Sequence, residues 1–219
     1  RDLHSNLRRL RQMCIRDSGE GDKGPNTGGM GAISPVPFMD DKFNQKIHDR
    51  IVKPTIEGLH KDNIPYVGFV FIGLIKVGEE PYVIEYNVRM GDPETQVVLP
   101  RVKNDFGELL LATAEGRLSQ IEIEIDDRSY TTIVAVSGGY PEGYQKGKEI
   151  TGLEKVKGSN VFHAGTSVNE GKTFTIGGRV LAVTSHGEGH KSALKQSYEQ
   201  IQKINFDGMY FRGDIGFDL

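Results

Sequence analysis

Polar and apolar positions alternate most clearly in VIEYNVRMGDPETQVVLP, Val83 to Pro100. In an extended chain residues two apart share a face. Glu85, Asn87 and Arg89 therefore line up on one side and Ile84, Tyr86 and Val88 on the other. The pattern predicts a strand with one chemical and one packing face, broken at Gly91 and turned by Asp92 and Pro93. Tyr66 to Val77 reads as a buried strand, VGEEP as a turn, and Tyr82 to Val88 as the antiparallel return. Asp40 or Asp41 is expected to cap a helix on which Phe43, Ile47 and Ile51 recur every four residues, with Pro54 bending or ending it. A second helix is capped by Asn104 or Asp105, runs through Phe106, Leu109, Leu110 and Thr113, and stops at Gly116.

A boundary falls near Leu118 to Arg128. Beyond it the pattern changes to short strands between glycine turns. QIEIEID (Gln120 to Asp126) alternates strictly, TTIVAVSGG and GRVLAVTS are apolar runs, and TFTIGG is a further short strand. One long helix is expected from Glu188 to Ile204. Towards the start, the run from Gly19 to Phe38 is so rich in glycine and proline that a loop is predicted there, not a helix or a central strand. Residues 1–18, with five arginines, two aspartates and an apolar helical face of Leu3, Leu7 and Leu10, read either as a basic amphipathic helix for a partner or an anionic surface or, the preferred reading because they match none of the motifs given below, as a non-native segment. The expected division is thus 1–18, 19–118 and 119–219.

Composition narrows the function classes. Against 30 acidic residues stand 27 basic ones, a formal charge of -3, which gives no electrostatic case for nucleic acid or membrane binding. The single cysteine, Cys14, cannot close an internal disulfide, and no apolar run approaches the roughly 18 residues that would span a bilayer. A soluble, cytoplasmic protein is expected. Glycine, at 28 of 219 residues, stands well above its usual ~7% and is gathered in motif-like clusters.

Candidate chemistry follows from these clusters. Glu85 and Asn87 are hard oxygen donors of the kind Mg2+ takes, and Arg89 offers a planar, permanently charged fork suited to a phosphate. An amphipathic strand with a merely solvated polar face has the same pattern. In the glycine run, Gly28, Gly29 and Gly31 allow close backbone approach to an anion, and Asn26 and Thr27 can add side-chain hydrogen bonds. No Lys-Ser/Thr pair follows, so this is not a Walker A loop. The glutamates of QIEIEID read as a solvated edge, and His186 and His190 lack the helix and third ligand that zinc needs.

Seven stretches carry a resemblance: VIEYNVRMGDPETQVVLP, GPNTGGMGA (Gly24 to Ala32), GFVFIGL (Gly68 to Leu74), SGGYPEGYQKGKEITGL (Ser137 to Leu153), VFHAGT (Val161 to Thr166), GGRVLAVTS (Gly177 to Ser185) and FRGDIG (Phe211 to Gly216). Together, from Gly19 to the end, they resemble the ATP-grasp ligases and in detail the phosphoribosylamine:glycine ligase family. The resemblance implies an α+β fold, the C-terminal part of an ATP-grasp domain (antiparallel sheet with helices) followed by a small, mainly antiparallel β domain with a covering helix. It implies an ATP-dependent ligase joining glycine to 5-phosphoribosylamine through a glycyl phosphate. Glu85 and Asn87 would hold Mg2+ or Mn2+, Arg89 would be catalytic, gripping the transferring phosphoryl group, and Asn26, Thr27, Gly28, Gly29, Asp92, Glu94 and Thr95 would contact substrate. His163, Arg212 and Asp214 also match family motifs, as packing or as binding residues. The family's N-terminal half, with its contacts to ATP, has no counterpart before Gly19, so the chain is expected to be inactive by itself. Two other readings stand beside this one: another ATP-grasp carboxylate-amine ligase, and a non-catalytic binding or scaffold protein that keeps this half.

Overall fold

The computed structural model describes residues 13–219; the helical face of Leu3, Leu7 and Leu10 lies outside them. In chain order the elements begin with β1 (Met13–Gly19), β2 (Lys23–Ser34), α1 (Asp41–Ile47), α2 (Lys53–Lys61), β3 (Phe71–Val77), β4 (Glu80–Asn87), α3 (Thr95–Val98) and α4 (Phe106–Ala114). There follow β5 (Ser129–Ser137), β6 (Glu149–Ile150), β7 (Asn160–His163), β8 (Thr166–Asn169), β9 (Lys172–Thr175), β10 (Arg179–Gly187), α5 (His190–Ile201) and β11 (Met209–Tyr210). This is an α+β fold in which every strand pair is antiparallel. No helix among the described residues is long and apolar enough to cross a membrane.

The chain folds as two compact units that are not consecutive in sequence. Of the described residues, one comprises Pro37–Gly91 and Val102–Ile125; the other takes 13–36, Asp92–Arg101 and Asp126–Leu219. This interleaving differs from the linear division at residue 118.

In the first unit Asp40 caps α1 by accepting from the Phe43 amide at 2.7 Å. Phe43 and Ile51 are buried. Pro54 does not end the helix. A π-helical turn, His48–Val52, leads into α2, and Pro54 is the second residue of α2, directly after that wider turn. The β3–β4 hairpin pairs Phe71 with Asn87 and Gly73 with Glu85, then slips by one residue so that Leu74 faces Val83, leaving Ile84 as a bulge. Here the expected packing face is corrected: Ile84, Tyr86 and Val88 are 61%, 51% and 71% exposed. A two-stranded hairpin has no third layer of its own to cover that side. QIEIEID is also corrected, since its alternation forms only an isolated bridge, Val102 to Ile125, beside a 2.9 Å bond from Lys103 N to Glu124 O. Asp105 caps α4 by accepting from the Glu108 amide at 3.1 Å.

The second unit holds the main sheet, in the order β1-β2-β5-β10-β7, with β11 also on β5. Its core is Met30 and Ile33 of β2, Ile133 to Val136 of β5 and Val180 to Val183 of β10, packed with Leu194 and Ile201 of α5. The glycine run is therefore a strand inside the sheet and not the predicted loop. Gly31 explains how: a Cβ there would meet Thr132 O and Ile215 Cδ1 at 2.9 Å, so its absence lets β2 approach β5. Pro25 lies between the Asp17–Asn26 and Gly19–Lys23 pairs, where the β1–β2 register is already irregular. The sheet also reaches into the segment read as non-native, through the pairs Cys14–Ala32 and Ile15–Gly31. A small sheet, β6-β9-β8, completes the unit.

Candidate functional site

On the hairpin, Glu85 and Asn87 keep their two-residue spacing beyond the bulge and are both half-buried. Gly73 is the partner that makes room for Glu85: a Cβ there would lie 2.9 Å from Glu85 Cγ. The hairpin is tied down at both ends. Glu80 accepts from Lys46 at 2.6 Å and also pairs with Arg50, while the Tyr66 hydroxyl lies within hydrogen-bond distance of Phe69 O (2.8 Å) and Val88 O (3.1 Å). Arg89 falls past the end of β4, exposed, with Nη1 donating to its neighbour Met90 O at 3.1 Å. The continuous line of three side chains thus ends at Asn87. One carboxylate and one amide oxygen suit a hard divalent cation that is completed by water and nucleotide oxygens. Among the described residues no group of three or more His, Cys, Asp and Glu could hold an ion without such help.

In the second unit the structure brings Gly28 and Asp92 together through a residue that the sequence reading did not single out. Arg179, first in β10, donates through Nη1 to Gly28 O (2.8 Å) and Asp92 O (2.9 Å) and through Nη2 to Asp92 Oδ2 (3.1 Å). From another motif the Tyr140 hydroxyl accepts the Gly28 amide at 3.2 Å. The Thr27 hydroxyl donates to Arg16 O at 2.6 Å and accepts from Gly29 N at 3.0 Å. The amides of Gly28 and Gly29 are thus turned to protein acceptors. Steric need fixes these glycines. A Cβ on Gly29 would meet Pro93 Cδ at 2.3 Å, and one on Gly178 would meet Tyr140 Cδ2 at 2.2 Å.

Asp92 Oδ1 also accepts from Gln96 at 2.8 Å. Glu94 is 4% exposed, and burial pushes its carboxyl above the ordinary range. Thr95 opens α3 and Asn26 is exposed on β2. The other flagged residues have structural partners: His163 Nδ1 lies 3.0 Å from Thr166 Oγ1, and His186 Nδ1 lies 3.0 Å from Arg128 Nη1. Arg179 and Tyr140 carried no local signal beyond membership of GGRV and SGGYP.

The glycine strand β2 and the oxygen-donor strand β4 both fall in a stretch that matches an ATP-grasp domain. The ATP-grasp (A) domain of phosphoribosylglycinamide synthetase matches residues 14–95, and the C domain of the same enzyme matches residues 130–218. The chain belongs to this family. It is 47% identical to the phosphoribosylamine–glycine ligase of Caldanaerobacter subterraneus over 196 residues, 90% of this chain and 47% of the relative. The crystal structure of the Thermotoga maritima phosphoribosylamine–glycine ligase superposes with a TM-score of 0.82 at 34% identity, over 93% of this chain and 50% of that one. The Kluyveromyces lactis urea carboxylase shares the fold at 15% identity, with a TM-score of 0.63 over 84% of this chain and 16% of that one. The chain spans about half the length of the curated ligase it matches. The family match begins at residue 14, inside the segment read as foreign.

Proposed function

We propose that this chain is the metal-holding and acceptor-side half of a cytoplasmic ligase that joins glycine to 5-phosphoribosylamine at the expense of ATP. The observation that carries the reading is the pair of oxygen donors, Glu85 and Asn87, on a hairpin strand within the ATP-grasp match. In the proposed reaction the glycine carboxylate attacks the γ-phosphate and ADP leaves, giving glycyl phosphate. The amine of 5-phosphoribosylamine then attacks the activated carbonyl, phosphate departs, and the amide forms as the amine loses a proton. Mg2+ or Mn2+, when bound, would neutralise charge on the phosphate oxygens.

The chain's own residues act chiefly by holding and orienting, because such a transfer needs little covalent help from the protein. Glu85 and Asn87 would hold the metal, and Arg89 would grip the transferring phosphoryl group in its fork. Gly28 and Asp92, fixed by Arg179, would set the shape of the acceptor side, with Asn26, Thr27, Gly29, Glu94 and Thr95 around it. No side chain is required as a nucleophile. The proposed partner is the family's N-terminal half, which would complete the grip on ATP.

The test is phosphate release from ATP by the chain alone and by the chain mixed with the N-terminal half of the Caldanaerobacter ligase. The chain alone is expected to be silent, and the pair active with glycine and 5-phosphoribosylamine but not with bicarbonate. Bicarbonate-dependent release would move the chain to another ATP-grasp chemistry. No release from a correctly folded pair would favour a binding or scaffold role.

A further inference from the structure

The guanidinium of Arg179 carries five N–H groups in one plane. Its Nη1 protons go to Gly28 O and Asp92 O, and one Nη2 proton goes to Asp92 Oδ2, so the end of the fork is fully engaged. The side edge is different. Nε–H and the second Nη2–H have no acceptor among the described residues. Two parallel N–H groups of this kind take both oxygens of a carboxylate or phosphate at once, with a geometry that lysine cannot reproduce.

A third donor stands beside the same glycine. Because an amide N–H can only donate, the 3.2 Å bond between Gly28 N and Tyr140 Oη makes the phenol oxygen the acceptor. The hydroxyl proton is then directed elsewhere, and no described residue accepts it. Neither donor is loosely placed. A Cβ on Gly28 would lie 2.9 Å from Arg179 Cζ and Nη2, so the guanidinium rests against bare backbone, and its side chain is 22% exposed. Tyr140 is packed on Gly178, the residue next to Arg179.

We propose that the side edge of Arg179 and the hydroxyl of Tyr140 form a receptor for a small oxyanion on the acceptor side of the site, either a carboxylate or a phosphomonoester. The ligase reading enters only in naming the two physiological candidates, the carboxylate of glycine and the phosphate of 5-phosphoribosylamine. Asp92 holds the fork from its other end and offsets part of its charge. The grip is therefore directional more than electrostatic, with affinity on the order of millimolar.

The experiment titrates the isotopically labelled 219-residue chain separately with glycine, ribose 5-phosphate and inorganic phosphate, following backbone amide shifts. At least one anion is expected to shift Gly28, Gly29, Asp92 and Arg179 to saturation. Glycine alone would assign a carboxylate receptor, and ribose 5-phosphate together with phosphate a phosphomonoester receptor. Tyr140→Phe should weaken binding about three- to tenfold with the melting temperature and the remaining spectrum unchanged, and Arg179→Lys, which also loses the bonds to Gly28 O and Asp92, should weaken it at least as much with a lower melting temperature. Should the lysine variant disturb the spectrum, Tyr140→Phe decides the matter, since it removes a single hydroxyl. The proposal is overturned if none of the three anions moves these amides, or if the variants titrate like the parent. Because the readout needs neither ATP nor turnover, it can fail while the paired-halves ligation succeeds, and the reverse.

Discussion

Arg212 meets Asp214 through two parallel hydrogen bonds, Nε to Oδ1 and Nη2 to Oδ2, both 2.8 Å, although only one residue separates them in the chain. The arginine is completely buried. Its Nη1 continues to Asp22 Oδ1 at 3.0 Å and Asp17 O at 3.1 Å, and Asp214 Oδ2 accepts the Gly21 amide at 2.6 Å. One guanidinium therefore fastens the β1–β2 turn to the FRGDIG segment. Arg212→Ala would empty a buried guanidinium site and strip the half-buried Asp214 and the exposed Asp22 of their partner, a change that costs about 2 to 3 kcal/mol. Urea denaturation of the variant should show a loss of that size, and a loss below about 1 kcal/mol would mean the clasp is not structural.

The same pair sets a dependence on acid. Hydrogen bonds from Arg212 hold the Asp214 carboxyl below its ordinary range, so its folded value lies under its unfolded one. Its contribution to stability is fully present above the unfolded carboxylate value near ~3.9 and is lost as pH falls through the lower folded value. Asp214→Asn should flatten that part of the stability profile below about pH 4. An unchanged acid slope in the variant would assign it to other carboxylates.

Glu94 has the opposite sign. Burial raises its carboxyl above the unfolded value, so the folded state binds the proton more tightly and stability falls as pH rises from the unfolded towards the folded value. Glu94→Gln removes the buried charge. Melting curves should show the variant gaining about 1 kcal/mol at pH 7, or ~2 to 4 °C, and no advantage at pH 4. A variant less stable than the parent at pH 7 would mean that the ionised carboxylate has partners worth more than its desolvation.

Arg89 separates shape from charge. Replacement by lysine keeps the positive charge and loses the planar fork, so turnover by the paired halves should still drop about 10²-fold. Turnover like the parent's would make Arg89 a general cation and not a shaped phosphate clamp.

What could be read in advance divides by range. The caps of Asp40 and Asp105, the β3–β4 hairpin and the long C-terminal helix depend on neighbours a few residues away, and local pattern reached them. The glycine strand did not look like one because its reason lies across the sheet, where Thr132 O leaves no room for a side chain at position 31. QIEIEID failed in the other direction, having the alternation of a strand but only one bridging partner. At the candidate site, the shared strand face of Glu85 and Asn87 was legible from spacing. Arg179 was not, because it acts on Asp92 and Gly28, more than 80 positions away, and although motif flagged Arg212 and Asp214, the reach of Arg212 to Asp17 and Asp22 was equally out of local range.

Glu85 carries the account. In the paired-halves assay Glu85→Gln keeps size and hydrogen bonding and removes the charge that would hold the metal against the nucleotide. Glycine-dependent turnover at saturating Mg2+ should fall by at least about 10²-fold, the loss expected for one principal electrostatic contact, with circular dichroism and melting temperature unchanged. Near-normal turnover of the folded variant would contradict the metal assignment, and with it the reading of this strand as the centre of the ligase.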